Sequence, residues 1–134
     1  MSAEQHHAAC LCGAVQITVS GPLGPPDACH CSQCRRQSGH YWASTNVARS
    51  DCAIAGEDSL SWYQSSPTVR RGFCKTCGSF LLWDVPGRSR IAIAMGAFSA
   101  PTRTKLAVHI YVADKGDYYE IADGVPQDNA SPSD

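Results

Sequence analysis

Eight cysteines in 134 residues, seven of them drawn into three short clusters, restrict what this chain can fold into more than any other feature. The clusters are Cys10-x-Cys12, Cys29-x-Cys31-x-x-Cys34 and Cys74-x-x-Cys77, with Cys52 alone. Sulfurs two residues apart lean to one side of an extended backbone, and a two-residue gap allows a turn that brings the next sulfur back. That is metal-knuckle geometry, although a disulfide framework uses many cysteines too, and the compartment decides between them. Residues 1–9 (MSAEQHHAA) carry neither the basic start nor the apolar core of a secretory signal, and no stretch is long enough to span a bilayer. The reading is therefore a cytoplasmic, reducing setting, with zinc as the cofactor.

Cys74-Lys75-Thr76-Cys77-Gly78 has the strongest zinc spacing, because both sulfurs can face one ion and Gly78 tolerates the positive φ of such a turn. Cys10-x-Cys12-Gly13 looks like its other half, and together they make a closed, structural four-cysteine site. A redox-active C-x-x-C pair is the competing reading, but no βαβ pattern surrounds it. Cys29, Cys31, Cys34 and Cys52 are left, which permits either an open three-cysteine zinc or a second closed one; spacing does not choose. Cys52, in Asp51-Cys52-Ala53-Ile54-Ala55, reads as a small buried apolar side chain. Three thiolates overcompensate zinc's charge, so an open site of this kind suits capture of an external thiolate better than generation of hydroxide. A zinc deaminase is excluded, since the H-x-E and P-C-x-x-C signature is missing.

The remaining pattern is mainly β. Ala14–Val19, Tyr41–Ala43, Cys52–Gly56, Leu60–Tyr63, Val69–Phe73, Phe80–Val85, Arg90–Met95, Leu106–Val112 and Tyr118–Ile121 are short, rich in aliphatic or aromatic residues, and separated by turn formers. No window holds an amphipathic helix of three turns; residues 35–39 make at most one turn. One domain is expected over residues 10–122, with a disordered N-terminus over 1–9 and a loose, polar tail over 123–134.

A net charge of -1 argues against nucleic-acid binding through a broad phosphate-attracting field. Positive charge is local instead: Arg35 and Arg36 follow the trio, and Arg70, Arg71 and Lys75 flank the knuckle. Either they are solvated charges beside thiolate clusters, or Arg35 and Arg36 bind a substrate carboxylate. His30 lies between two ligands, where alternation turns its ring away from the metal to the outer shell or the surface. His109, in Val108-His109-Ile110-Tyr111, reads as a satisfied core histidine, and His6 and His7 as disordered surface.

The order C-x-C-G, C-H-C-x-x-C-R, Tyr63-x-Ser65-Ser66, Arg71-x-Phe73-Cys74-x-x-Cys77-Gly78-Ser79 and His109-Ile110-Tyr111-Val112 resembles the glutathione-dependent formaldehyde-activating enzyme family, also called the GFA or CENP-V-like family. The resemblance runs from about Cys10 to Ile121. It implies a β-tent fold of short antiparallel strands and two zinc ions per chain. The structural zinc falls on Cys10, Cys12, Cys74 and Cys77, and the second, with an open position for catalysis, on Cys29, Cys31 and Cys34. The implied activity is that of a carbon-sulfur lyase acting on an adduct of glutathione, or a similar thiol, with a small aldehyde. Gly96-Ala97-Phe98-Ser99 and Tyr118-Tyr119 depart from the family's usual Gly-x-Leu-Asp and tryptophan, which puts a different pocket in view. The alternative function is a non-catalytic, zinc-stabilised binding module for a protein or small anion.

Overall fold

Period-two alternation sends half of each strand into a core, and the strands sort into two sheets. The computed structural model describes residues 4–130. Strands β1 (Gln5–Ala9), β2 (Gln16–Ser20) and β5 (Cys52–Ala55) form the smaller sheet in the order β1-β2-β5. The larger one contains β3 (Asp27–Cys29), β4 (Trp42–Ala48), β6 (Leu60–Gln64), β7 (Arg70–Cys74), β8 (Phe80–Asp84), β9 (Arg90–Ala94) and β10 (Val108–Ile110), in the order β10-β3-β4-β9-β8-β7-β6. All named pairings are antiparallel except β10 with β3, which is parallel. The protein is a mainly β single domain with two sheets and one short helix among the described residues, and no helix there is long and apolar enough to cross a membrane.

The larger sheet has a different character on its two faces. Ile91 and Ile93 of β9 join Val15, Ile17, Val19, Val47 and Leu81 in the main core, against the smaller sheet. Ala92 and Ala94 point the other way, into a second cluster with Cys29, Cys34, Trp42 and Ile110. Their small side chains leave room on that face. Burying a side chain the size of isoleucine contributes about 1.5–3 kcal/mol, so the first face holds the fold and the second is free to carry a cavity.

Two local devices keep the frame in place. Gly56, at φ +81°, sits so close to the preceding hairpin that a Cβ there would lie 1.8 Å from the Ala14 carbonyl oxygen, so neither the conformation nor the space admits a side chain. Asp84, wholly buried at the end of β8, accepts from Arg49 Nη2 at 2.6 Å and Arg70 Nε at 2.8 Å. The Arg70 guanidinium also lies 3.8 Å above the Trp62 ring.

Several expectations are corrected. Residues 1–9 are not all disordered: β1 begins at Gln5 and pairs with β2 along its length, His6 is buried against Glu4, and His7 stands on the exposed side of the same strand. Weak β formers are drawn into a strand there because β2 offers a free edge. The tail is not loose over 123–130 either, since His109 N donates to the Pro126 carbonyl and Asp128 N to that of His109, both at 2.8 Å; residues 131–134 lie outside the described ones. Residues 118–121 form no strand, and β10 is only three residues long because Tyr111 turns to φ 55°. Helix α1 (Ser32–Ser38) is longer than one turn. The Cys31 Sγ caps its start by accepting from Cys34 N, and Gly39, left-handed at φ 91°, closes its end.

Candidate metal centres

The first and third cysteine clusters meet. Cys10 and Cys12 open the segment after β1, Cys74 ends β7, Cys77 lies in the turn before β8, and their four sulfurs all fall within 4.8 Å of one another. Cys10 and Cys12 Sγ are 3.6 Å apart, and Cys12 and Cys74 Sγ 3.8 Å. Four thiolates at about 2.3 Å from a tetrahedral zinc stand about 3.8 Å from each other, so this spacing fits that ion with no protein group displaced. Gly78 at φ +81° lets its N–H reach the Cys74 carbonyl at 2.7 Å and close the turn. Ser79 ties the halves together: its Oγ accepts from Leu11 N at 3.0 Å and lies 3.2 Å from Cys77 Sγ. That hydroxyl, with backbone N–H groups, brings the Cys77 thiol down to about 5.

Cys29, Cys31 and Cys34 form the second group, again with sulfurs within 4.8 Å of one another. Strand β3 presents Cys29, the bend after it presents Cys31, and the first turn of α1 presents Cys34. Cys52 belongs to neither group; it lies on β5 against the main core, where burial raises its thiol. Within the trio, hydrogen bonds from Cys29 and Cys34 hold Cys31 at about 2, while the same sharing pushes Cys29 far up. Cys34, lowered by Cys29, is carried by Cys31 and burial to about 11. Three thiols this close oppose one another's ionisation, and a divalent cation held between them is what allows all three to ionise. The donor set therefore fits a metal.

These sulfurs open on a cavity of about 500 Å³, and the sheet register explains its walls. Asp27 and Cys29 are two apart on β3, opposite Ser44 and Trp42 of β4, and Ala94 and Ala92 of β9 continue the same face. Trp83, Arg88, Ile110, Tyr111 and Asp114 also line the cavity. Arg71, buried on β7, donates to Cys34 Sγ at 3.4 Å, Gln33 Oε1 at 3.2 Å, Gln37 Oε1 at 3.4 Å and Ser65 Oγ at 3.3 Å. It faces the trio across the sheet, whereas Arg35 and Arg36 do not line this cavity. Arg36 borders a neighbouring cleft, and Arg35 Nε is buried with no partner among the described residues.

Asp27 went unnoticed in the sequence, although its spacing from Cys29 was a usable signal. Burial raises its carboxyl to about 6. The folded chain therefore binds more protons than the unfolded one between about pH 4 and 6, and ionised Asp27 lowers stability once the pH passes that window. Asp27→Asn is expected to raise the melting temperature at pH 7 by a few degrees, with the gain gone below about pH 4. Thermal melts across that range check it.

His30 faces away from the cavity and is fully buried, not on the surface. Asp123 accepts from His109 Nε2 at 2.8 Å, so His109 Nδ1 is the acceptor for His30 Nε2 at 2.9 Å, and His30 Nδ1 takes the Tyr119 hydroxyl. Burial first, and the neighbouring His109 next, hold His30 down to about 4, so its ring is neutral at pH 7. His109 is thus a satisfied core histidine.

A family model described as glutathione-dependent formaldehyde-activating enzyme matches residues 5–114. Over 118 residues the chain is 25% identical to an uncharacterized lyase of Schizosaccharomyces pombe, a match covering 84% of this chain and 82% of that protein. The fold is similar to a crystal structure of a Rhodobacter sphaeroides protein, with a TM-score of 0.60 at 24% identity over 75% of this chain and 99% of that one. A match that takes in both cysteine groups and all but the last segment decides the kinship: the chain belongs to the glutathione-dependent formaldehyde-activating enzyme family.

Proposed function

We propose that this protein is a zinc-dependent enzyme of carbon-sulfur lyase type, which joins glutathione or a similar thiol to a small aldehyde, or parts the adduct, at Cys29, Cys31 and Cys34. The observation that carries this is the contrast between the two groups: four sulfurs closed on one another, and three that face a cavity of about 500 Å³. A zinc on three cysteines supplies one position at which an external thiol is held as the reactive thiolate. In the forward direction the thiol sulfur bonds to the aldehyde carbon, the carbonyl π pair moves to oxygen, and that oxygen takes up the proton the thiol has lost. The reverse direction breaks the same carbon-sulfur bond. Arg71 steadies the anionic trio through Cys34, and Trp42, Trp83 and Ile110 wall the site against water. Ser44, Asn46 and Asp27 offer hydrogen-bonding partners to the adduct's hydroxyl. Membership of the family and the lyase name of the yeast relative support the reaction class.

With cobalt in place of zinc, glutathione is expected to strengthen the sulfur-to-cobalt charge-transfer absorption in the near ultraviolet. Cys31→Ala removes that change and leaves the spectrum of the four-cysteine site intact. If glutathione, cysteine and other small thiols all leave the folded cobalt protein unaltered, the open-site reading fails and the non-catalytic binding module replaces it.

A further inference from the structure

The space at the trio continues past Arg71. Gln33 and Arg71 also border a second cleft, of about 660 Å³, between α1 and the β6–β7 edge. Tyr63 of β6 pairs with Arg71 of β7, and Phe73 lies two residues along from Arg71, so alternation puts all three on the side facing the helix. Tyr63 is 62% exposed, a large aromatic surface with nothing packed over it.

The polar groups here are donors. Arg71 is committed to Cys34, Gln33, Gln37 and Ser65. Because the amide oxygens of Gln33 and Gln37 accept from it, their N–H groups point elsewhere. Gln33 Nε2 reaches the Ser65 carbonyl at 3.5 Å, whereas the Gln37 amide donates to no acceptor among the described residues. Arg36, exposed on the same helix, has no carboxylate partner among them either. No acidic side chain lines this cleft, while Asp27 and Asp114 line the first beside Arg88. The two cavities thus differ in charge.

We infer that this cleft is the subsite for a carboxylate-bearing peptide arm on the thiol whose sulfur occupies the trio, with Arg36 and the Gln37 amide as the carboxylate donors and Tyr63 and Phe73 as the walls. The inference rests on the proposed thiol-capturing function. Its reach is sound: Cys34 and Gln37 are one helical turn apart, about 4.5 Å along the axis, and one or two extended residues span about 3.5–7 Å. A charged guanidinium binds a carboxylate more strongly than a neutral donor does, so a peptidyl thiol is preferred over a short neutral one.

The test uses the cobalt protein and reads affinity from the charge-transfer band with three probes: reduced glutathione, its diethyl ester and 2-mercaptoethanol. Wild type is expected to lose about tenfold in affinity from glutathione to its ester, the scale of a charge-assisted hydrogen bond. Arg36→Gln is expected to weaken glutathione by a similar factor, to bring it level with the ester, and not to move 2-mercaptoethanol. Equal affinity of wild type for glutathione and its ester overturns the subsite while leaving the open-site reading in place, as does an equal loss for all three probes in Arg36→Gln. A folded protein that answers to none of the three overturns both. The ester comparison needs no substitution, so a variant that fails to fold does not blunt it.

Discussion

Replacing Cys77 with alanine is expected to leave no natively folded protein. Cys77 supplies one of four sulfurs that join the segment after β1 to the turn between β7 and β8, and so clip the smaller sheet to the larger one. Zinc binding to such thiolate sites contributes on the order of 10–16 kcal/mol, against about 5–15 kcal/mol for the net stability of a domain. Losing one ligand of a closed site removes enough of that to tip the balance. The variant should be insoluble, or should keep far-ultraviolet dichroism while losing near-ultraviolet dichroism and a cooperative melt. Soluble Cys77→Ala with the melting temperature of the wild type refutes the structural role.

Arg71→Met is expected to strip metal from the three-cysteine site while sparing the four-cysteine one. Arg71 is 4% exposed, and its guanidinium makes four hydrogen bonds, one of them to Cys34 Sγ. Without it, a metal-loaded trio with net negative charge loses its buried counter-charge. Groups that support ligands in this way typically alter metal affinity by about 10–100-fold. Breaking a buried charge pair costs about 3–5 kcal/mol, so the melt should fall as well. Metal content measured against a competing chelator should drop from two equivalents per chain to one. Lysine is not expected to rescue the site, because one ammonium cannot reproduce the planar fork that reaches Gln33, Gln37 and Cys34 together. Two equivalents retained at the same chelator concentration in Arg71→Met would show that the arginine does not support this site.

The sequence by itself determined the short-range geometry. Cysteines two or three positions apart converge within one turn whatever surrounds them, so both knuckles, and Gly78 closing the Cys74–Cys77 turn, were legible in the sequence. Aromatic and β-branched runs made the mainly β class legible in the same way. Tertiary structure decided what depends on a partner far along the chain. Gln5–Ala9 has little intrinsic strand character and becomes β1 through pairing with β2; residues 123–130 are held because Asp123 and Asp128 find His109. Spacing could not choose between an open and a closed second site, and burial of Cys52 on β5 against the core separates it from the trio. Charge near the sulfurs was visible as a pattern, but Arg71 and not its neighbours turned out to touch Cys34, because the strand register and the path of α1 bring residues 37 positions apart into contact. Local spacing sets turns and ligand convergence, whereas burial, counter-charge and the shape of a cavity are properties of surfaces that meet only when the sheets close.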